Sequence, residues 1–170
     1  NVEDAGWPGS RGRYFPLHVN WEKEEVLFFS TTQETNFVLN SVNYKDDSIR
    51  EAFELPSGTR SARWGSFGRQ LGLVSTNNVV SVMDIKSRKM IGKPFPIDDR
   101  LSTATPTGDE DLMYGQSRRS GIQFYNINSG AKVGPSIDIG SASVKFLPGT
   151  RKYLVYSSQS SVISVFKDRL

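Results

Sequence analysis

The chain has 170 residues, 21 Lys+Arg against 18 Asp+Glu, one His and no Cys. That length suits one domain with a single core. The composition excludes a disulfide scaffold, a thiolate metal site, a Cys nucleophile and a multi-His metal centre. The net charge of +3 is close to balance. No apolar run approaches the roughly 20 residues of a membrane span, and no charged-then-apolar leader opens the chain.

Turn-forming residues, among them 15 Gly and 8 Pro, break the chain into pieces shorter than an ordinary helix. Residues 1–13, with Trp7-Pro8-Gly9-Ser10, fit no regular element and read as a surface arm. Leu17-His18-Val19-Asn20-Trp21 and Val26-Leu27-Phe28-Phe29-Ser30 read as strands. Ser48-Ile49-Arg50-Glu51 has the form of a helix capping box, but the repeat described below places a strand there. Leu71–Ser75, Leu112–Gln116, Ile122–Ile127, Tyr153–Ser157 and Val162–Lys167 follow, rich in Val, Ile, Phe, Tyr and Leu with period-two alternation. The whole predicts an all-β protein.

The pieces repeat. Ser75, Gln116 and Ser157 each close a strand and are 41 residues apart, twice. Asp84, Asn126 and Lys167 end the next strand at spacings of 42 and 41. Lys89-Met90-Ile91-Gly92-Lys93-Pro94 echoes Ala131-Lys132-Val133-Gly134-Pro135. Each unit reads as four strands joined by hairpins, over 14–56, 57–97, 98–139 and 140–170, the last stopping after its third strand. A four-stranded unit of about 40–45 residues has the period of a β-propeller blade.

On these residues the chain resembles the WD-repeat propellers. The Trp-Asp that ends the third strand in that family reads Met83-Asp84, Tyr125-Asn126 and Phe166-Lys167, and the Gly-His before the first strand is missing. Four such units take up the chain, so either the segment before Tyr14 supplies the missing outer strand and four blades close a small ring, or, as the resemblance implies and as is favoured here, the units belong to a larger ring of about seven, the remainder carried elsewhere or on another chain.

Catalytic chemistry finds little support. His18 lies within a strand, with no Gly-x-Ser-x-Gly elbow and no acid placed to orient it, and reads as a structural histidine. Asp109-Glu110-Asp111, Asp98-Asp99 and Asp46-Asp47 lack calcium-loop spacing and read as solvated turns. Trp21, Trp64 and Phe146 recur before the first hairpin of their units and read as packing between blades. No catalytic residue, metal or cofactor is expected.

Blade topology gathers the loops after the second and fourth strands onto one rim. That rim carries Arg60, Asn77, Asn78, Asp99, Arg100, Arg118 and Arg119, a set suited to an acidic peptide, a phosphopeptide or a nucleic-acid backbone. The opposite rim, with Glu22, Lys23, Glu24, Glu25, Asp109, Glu110 and Asp111, reads as the more acidic one. The expected function is a non-catalytic protein–protein interaction scaffold in a multiprotein complex. Its partners are other proteins, including a chain or segment that completes the propeller. The resemblance implies an intracellular location, in nucleus or cytoplasm; no N-glycosylation sequon occurs. The alternatives are a nucleic-acid-associated scaffold using the arginine rim, whose binding would fall steeply with salt, and a propeller enzyme with a polar cluster at its channel.

Overall fold

A computed structural model describes residues 18–20, 23–31, 37–65, 68–97, 101–108, 111–117, 121–138, 142–146, 152–157 and 163–167. Every regular element among them is a strand. Four separate antiparallel sheets follow the chain in order, each built from neighbouring strands joined by short connections, the arrangement expected where turn residues interrupt β-rich pieces.

The chain divides into two compact units, Asn1–Thr59 and Arg60–Leu170. The first holds one sheet, β1 (His18–Asn20), β2 (Glu25–Thr31), β3 (Phe37–Asn43) and β4 (Ile49–Glu54). Residues 49–54 are thus a strand, as the repeat requires, despite the capping-box sequence. Their side of the ladder pairs with β3 from Val38↔Glu54 to Val42↔Ile49. Leu27, Phe28 and Phe29 on β2 and Phe37, Val38, Leu39 and Val42 on β3 are buried.

The second unit holds three sheets. One is β5 (Thr59–Trp64), β6 (Gln70–Ser75), β7 (Val79–Asp84) and β8 (Lys89–Pro96). The next is β9 (Leu101–Pro106), β10 (Leu112–Ser117), β11 (Gly121–Asn126) and β12 (Lys132–Ile137). The last is β13 (Ala142–Phe146), β14 (Lys152–Ser157) and β15 (Ile163–Lys167), three-stranded among the described residues.

These three sheets share cores face to face. Val74, Val80, Val82, Phe95 and Ile97 of the β5–β8 sheet and its exit pack with Leu101, Ala104, Met113, Tyr125 and Ile127 of the next. On its other face the β9–β12 sheet packs Leu112, Ile122 and Phe124 against Val144, Tyr153 and Val155. The Phe124 and Tyr153 rings are 4.7 Å apart, within aromatic contact distance. Strand β11 is therefore apolar on both faces, and five of its six residues are buried. Fully burying one such side chain contributes on the order of 1.5–3 kcal/mol. At Gly72 of β6 the sheets approach so closely that an added Cβ would lie 2.1 Å from the Ala104 carbonyl oxygen.

The ladder register corrects one marker of the repeat. Glu25↔Asn43, Gln70↔Asp84, Leu112↔Asn126 and Lys152↔Lys167 are equivalent pairs. Five residues further along each second strand stand Ser30, Ser75, Ser117 and Ser157. Ser117, not Gln116, is thus the counterpart of Ser75 and Ser157. The two sheets also share a bulge. Residues Val80 to Val82 of β7 face Phe95 to Ile91, and Ile122 to Phe124 of β11 face Ile137 to Val133, three residues against five in each. The echo Ile91-Gly92-Lys93-Pro94 and Val133-Gly134-Pro135 marks that bulge, which blunts the outer strand as a template for further pairing. In the β9–β12 sheet the buried Gln123 amide fills the gap in the ladder, donating to the Val133 and Gly134 carbonyls, both at 3.2 Å.

Candidate functional site

Arg60 and Asn78, both expected on one rim, are brought together. Arg60 is the second residue of β5 rather than a loop residue, and it is half-buried. Its Nη2 donates to the Leu101 carbonyl oxygen at 2.7 Å and to Asn78 Oδ1 at 3.2 Å. Asn78 sits in the β6–β7 turn in the left-handed region, at φ 57°, which asparagine tolerates better than most residues. The Asn78 N–H donates to the Ser75 carbonyl, and the Ser75 hydroxyl accepts from the Val79 N–H. The Asn78 carbonyl in turn accepts from the Ile97 N–H at 3.1 Å.

These bonds fix both ends of the connection between the second and third sheets. Ile97 is held by Asn78 and Leu101 by Arg60, and both apolar side chains are buried. Between them lie Asp98, Asp99 and Arg100, which with Arg118 and Arg119 fall outside the described residues. Asn77 is exposed on the β6–β7 turn.

At the other end of the first three sheets a second hairpin repeats with one hydrogen-bond skeleton. The N–H following the end of the third strand donates to the residue preceding the second strand. The pairs are Tyr44 to Glu24, Ile85 to Arg69 and Ile127 to Asp111. The degenerate Trp-Asp positions build this hairpin. Met83 and Tyr125 are buried to 1% exposure. Asp84 Oδ1 accepts from the Ser87 N–H and hydroxyl, both at 2.6 Å. Asn126 Oδ1 accepts from the N–H groups of Asn128 and Ser129 and the Ser129 hydroxyl. Asn43 Oδ1 accepts from the Lys45 N–H. A side-chain oxygen at this position is needed to cap the turn; an aspartate or an asparagine supplies it equally. The Ser87 bonds hold the Asp84 carboxyl below its ordinary range, against burial, with smaller help from the Lys86 amide and charge.

Charge differs between these hairpins. Glu24 and Asp111 are acidic, and Glu24 forms an ion pair with Lys45. Their counterpart in the second sheet is Arg69, beside the exposed run Lys86-Ser87-Arg88-Lys89. The expectation of an acidic rim at this end thus meets a basic sector. Four cations and no acid lie between Ile85 and Lys93, a signal present in the sequence that only the placement of Arg69 makes spatial.

Elsewhere, His18 pairs with Leu27 in β1, and burial lowers its pKa. Trp64 is half-buried rather than part of the core; Trp21 and the Phe146 side chain lie outside the described residues. So does the arm 1–13. Tyr114 is half-buried between the third and fourth sheets; burial raises its pKa, partly offset by a hydrogen bond with Thr105 and the nearby Arg63 charge. Among the described residues no group of three His, Asp or Glu side chains is placed to hold a metal ion. No helix among them is long and apolar enough to cross a membrane.

No family model matches the chain, and no curated protein does. Solved structures do. The β-propeller domain of Myceliophteria thermophila Cps50 (Swd1) superposes with a TM-score of 0.65 at 11% identity, covering 92% of this chain and 54% of that one. The WD40 repeats of RRP9 give 0.57 at 13% identity, covering 94% of this chain and 52% of that one. U3-55K gives 0.57 at 13% identity, covering 94% and 53%. The chain is therefore an all-β protein with the fold of WD40 β-propeller blades, spanning about half the length of the propellers it matches.

Proposed function

We propose that this chain is a non-catalytic docking platform for partner proteins, working within a larger propeller of about seven blades inside the cell, in nucleus or cytoplasm. A fold built of WD40 blades supports an interaction scaffold within protein complexes in general terms. The observation that carries the finer reading is the anchoring of Ile97 by Asn78 and of Leu101 by Arg60. A connection held at both ends presents what lies between at a low ordering cost. Asp99 and Arg100 follow from that anchor, with Asn77, Arg118 and Arg119 as the adjoining rim. Arg60 and Asn78 then act as positioning residues rather than contacts.

The nucleic-acid reading of this rim is the weaker one, because the Arg60 guanidinium is engaged with Leu101 and Asn78 instead of facing outward. The test is affinity for a purified partner that copurifies stoichiometrically with the full-length protein. Arg118→Ala with Arg119→Ala is expected to weaken that complex by about tenfold or more, equivalent to about 1.4 kcal/mol, with an unchanged melting midpoint. Unchanged affinity overturns the rim assignment.

A further inference from the structure

We propose that the β7–β8 hairpin end of the second sheet is a binding patch for a nucleic-acid phosphate backbone, formed by Arg69, Lys86, Arg88 and Lys89. This end lies opposite the Arg60–Asn78 rim along the same strands, and the patch does not depend on the rim reading.

The backbone brings the four cations together. The Ile85 N–H donates to the Arg69 carbonyl at 2.9 Å, which sets Arg69 beside the turn. Lys89 pairs across the ladder with Asp84, which in turn pairs with Gln70, the neighbour of Arg69. Arg69 precedes β6, Lys86 and Arg88 lie in the turn between β7 and β8, and Lys89 opens β8, so three adjacent strands spaced about 4.8 Å apart set the backbone of these residues within about 10 Å across this end. All four side chains are exposed. Asp84, which ends β7 at this turn, accepts from Ser87. No ion pair joins Arg69, Lys86 or Lys89 to an acid among the described residues. Lys93, also exposed, continues the charge along β8.

The equivalent hairpins show that the turn does not require this charge. The same skeleton holds with Glu24 and residues 44–48 in the first sheet, and with Asp111 and the uncharged residues 127–131 in the third. The composition of the patch separates the two macromolecular classes that a basic surface attracts. Protein interfaces are depleted in lysine and centre on buried aromatic or aliphatic anchors. Here three lysines, Lys86, Lys89 and Lys93, surround a single exposed apolar side chain, Met90. Exposed point charges suit the evenly charged, sequence-independent phosphate backbone.

The experiment is fluorescence anisotropy of the full-length protein with a labelled oligouridylate and with a DNA duplex of mixed sequence, across about 50–200 mM salt. Four phosphate contacts predict a fall in log K against log salt of roughly 3, and Lys86→Gln with Lys89→Gln removes about 1.5 of that slope. Affinity at about 100 mM salt falls roughly tenfold, while Lys86→Arg with Lys89→Arg restores it and the melting midpoint stays fixed in both variants. Absence of binding at the lowest salt overturns the proposal, as does a slope that the double glutamine variant leaves intact. Loss of slope in Arg118→Gln with Arg119→Gln instead would assign nucleic-acid binding to the opposite rim. A polyglutamate peptide bound as tightly as the oligonucleotide, with the same dependence on Lys86 and Lys89, would assign the patch to an acidic protein.

Discussion

The second and third sheets end in the same hairpin and use it differently. In both, a buried residue, Met83 or Tyr125, precedes a side-chain oxygen that caps the turn, from Asp84 or Asn126. In both, the next N–H reaches back to the residue before the second strand. Yet one hairpin is flanked by Arg69, Lys86, Arg88 and Lys89 and the other by Asp111, Asn128 and Ser129. The turn needs a cap and a buried anchor; it sets no requirement on the exposed side chains between. Function has room to vary where the hydrogen-bond skeleton is satisfied by the backbone and one side-chain oxygen.

The sharpest way to break the comparison is at the glycines beneath it. Gly72 of the second sheet faces backbone, with an added Cβ 2.1 Å from the Ala104 oxygen. At Gly115 of the third the Cβ would meet the tip of the Leu101 side chain at 2.3 Å. Leu101 can change rotamer; the β9 backbone cannot move without disturbing its ladder. Gly72→Ala is expected to destabilise by about 3 kcal/mol or more, and Gly115→Ala by about 1–2 kcal/mol, read as shifts in the denaturant midpoint. Equal costs would mean that the two sites yield equally.

At the other end of the second sheet, Arg60→Ala removes the bonds to Leu101 and Asn78. The expected loss is about 2 kcal/mol, the range for a hydrogen bond to a charged group. Faster amide exchange at Leu101 and Ile97 would accompany it. Ser102, the counterpart of Arg60 in the third sheet, bonds within its own sheet to the Gln116 carbonyl, and Ser102→Ala is expected to cost about 0.5–1 kcal/mol.

The smallest effect separates the two caps by pH. The Asp84 carboxyl titrates below its ordinary value of 3.8, chiefly because of Ser87. In the unfolded chain it takes up a proton first as pH falls. Its contribution is therefore complete above the ordinary value and is lost as pH drops through the lowered one. Asn126 carries no such dependence. Acid titration followed by amide exchange should loosen the β7–β8 hairpin before the β11–β12 hairpin, and Asp84→Asn should remove the difference. Because Asp84 is only half-buried, solvent screens the interaction and the energy involved is a fraction of a kcal/mol.

Much of the blade pattern was legible because turn residues and apolar pairs recur at nearly constant spacing. The markers Asp84, Asn126 and Lys167 hold because each ends a third strand; at the first two a buried residue, Met83 or Tyr125, gives way to an exposed turn. The serine marker slipped by one at Gln116. Leu112-Met113-Tyr114-Gly115 belongs to a strand packed on both faces, so period-two alternation carries no phase there. The basic hairpin is not legible in the sequence alone because Arg69 is distant along the chain from Lys86–Lys89 and only the ladder sets them together.

The sequence by itself determined the all-β class, the four-strand repeat and the positions of its turns, because strand length, alternation and turn chemistry are local properties. Only the tertiary structure decided which charges are available. Arg60 and Arg69 are both arginines, at opposite ends of one sheet. The first is bonded inward because a neighbouring sheet places the Leu101 carbonyl 2.7 Å away. The second stays exposed because its backbone carbonyl, not its side chain, makes the contact with Ile85.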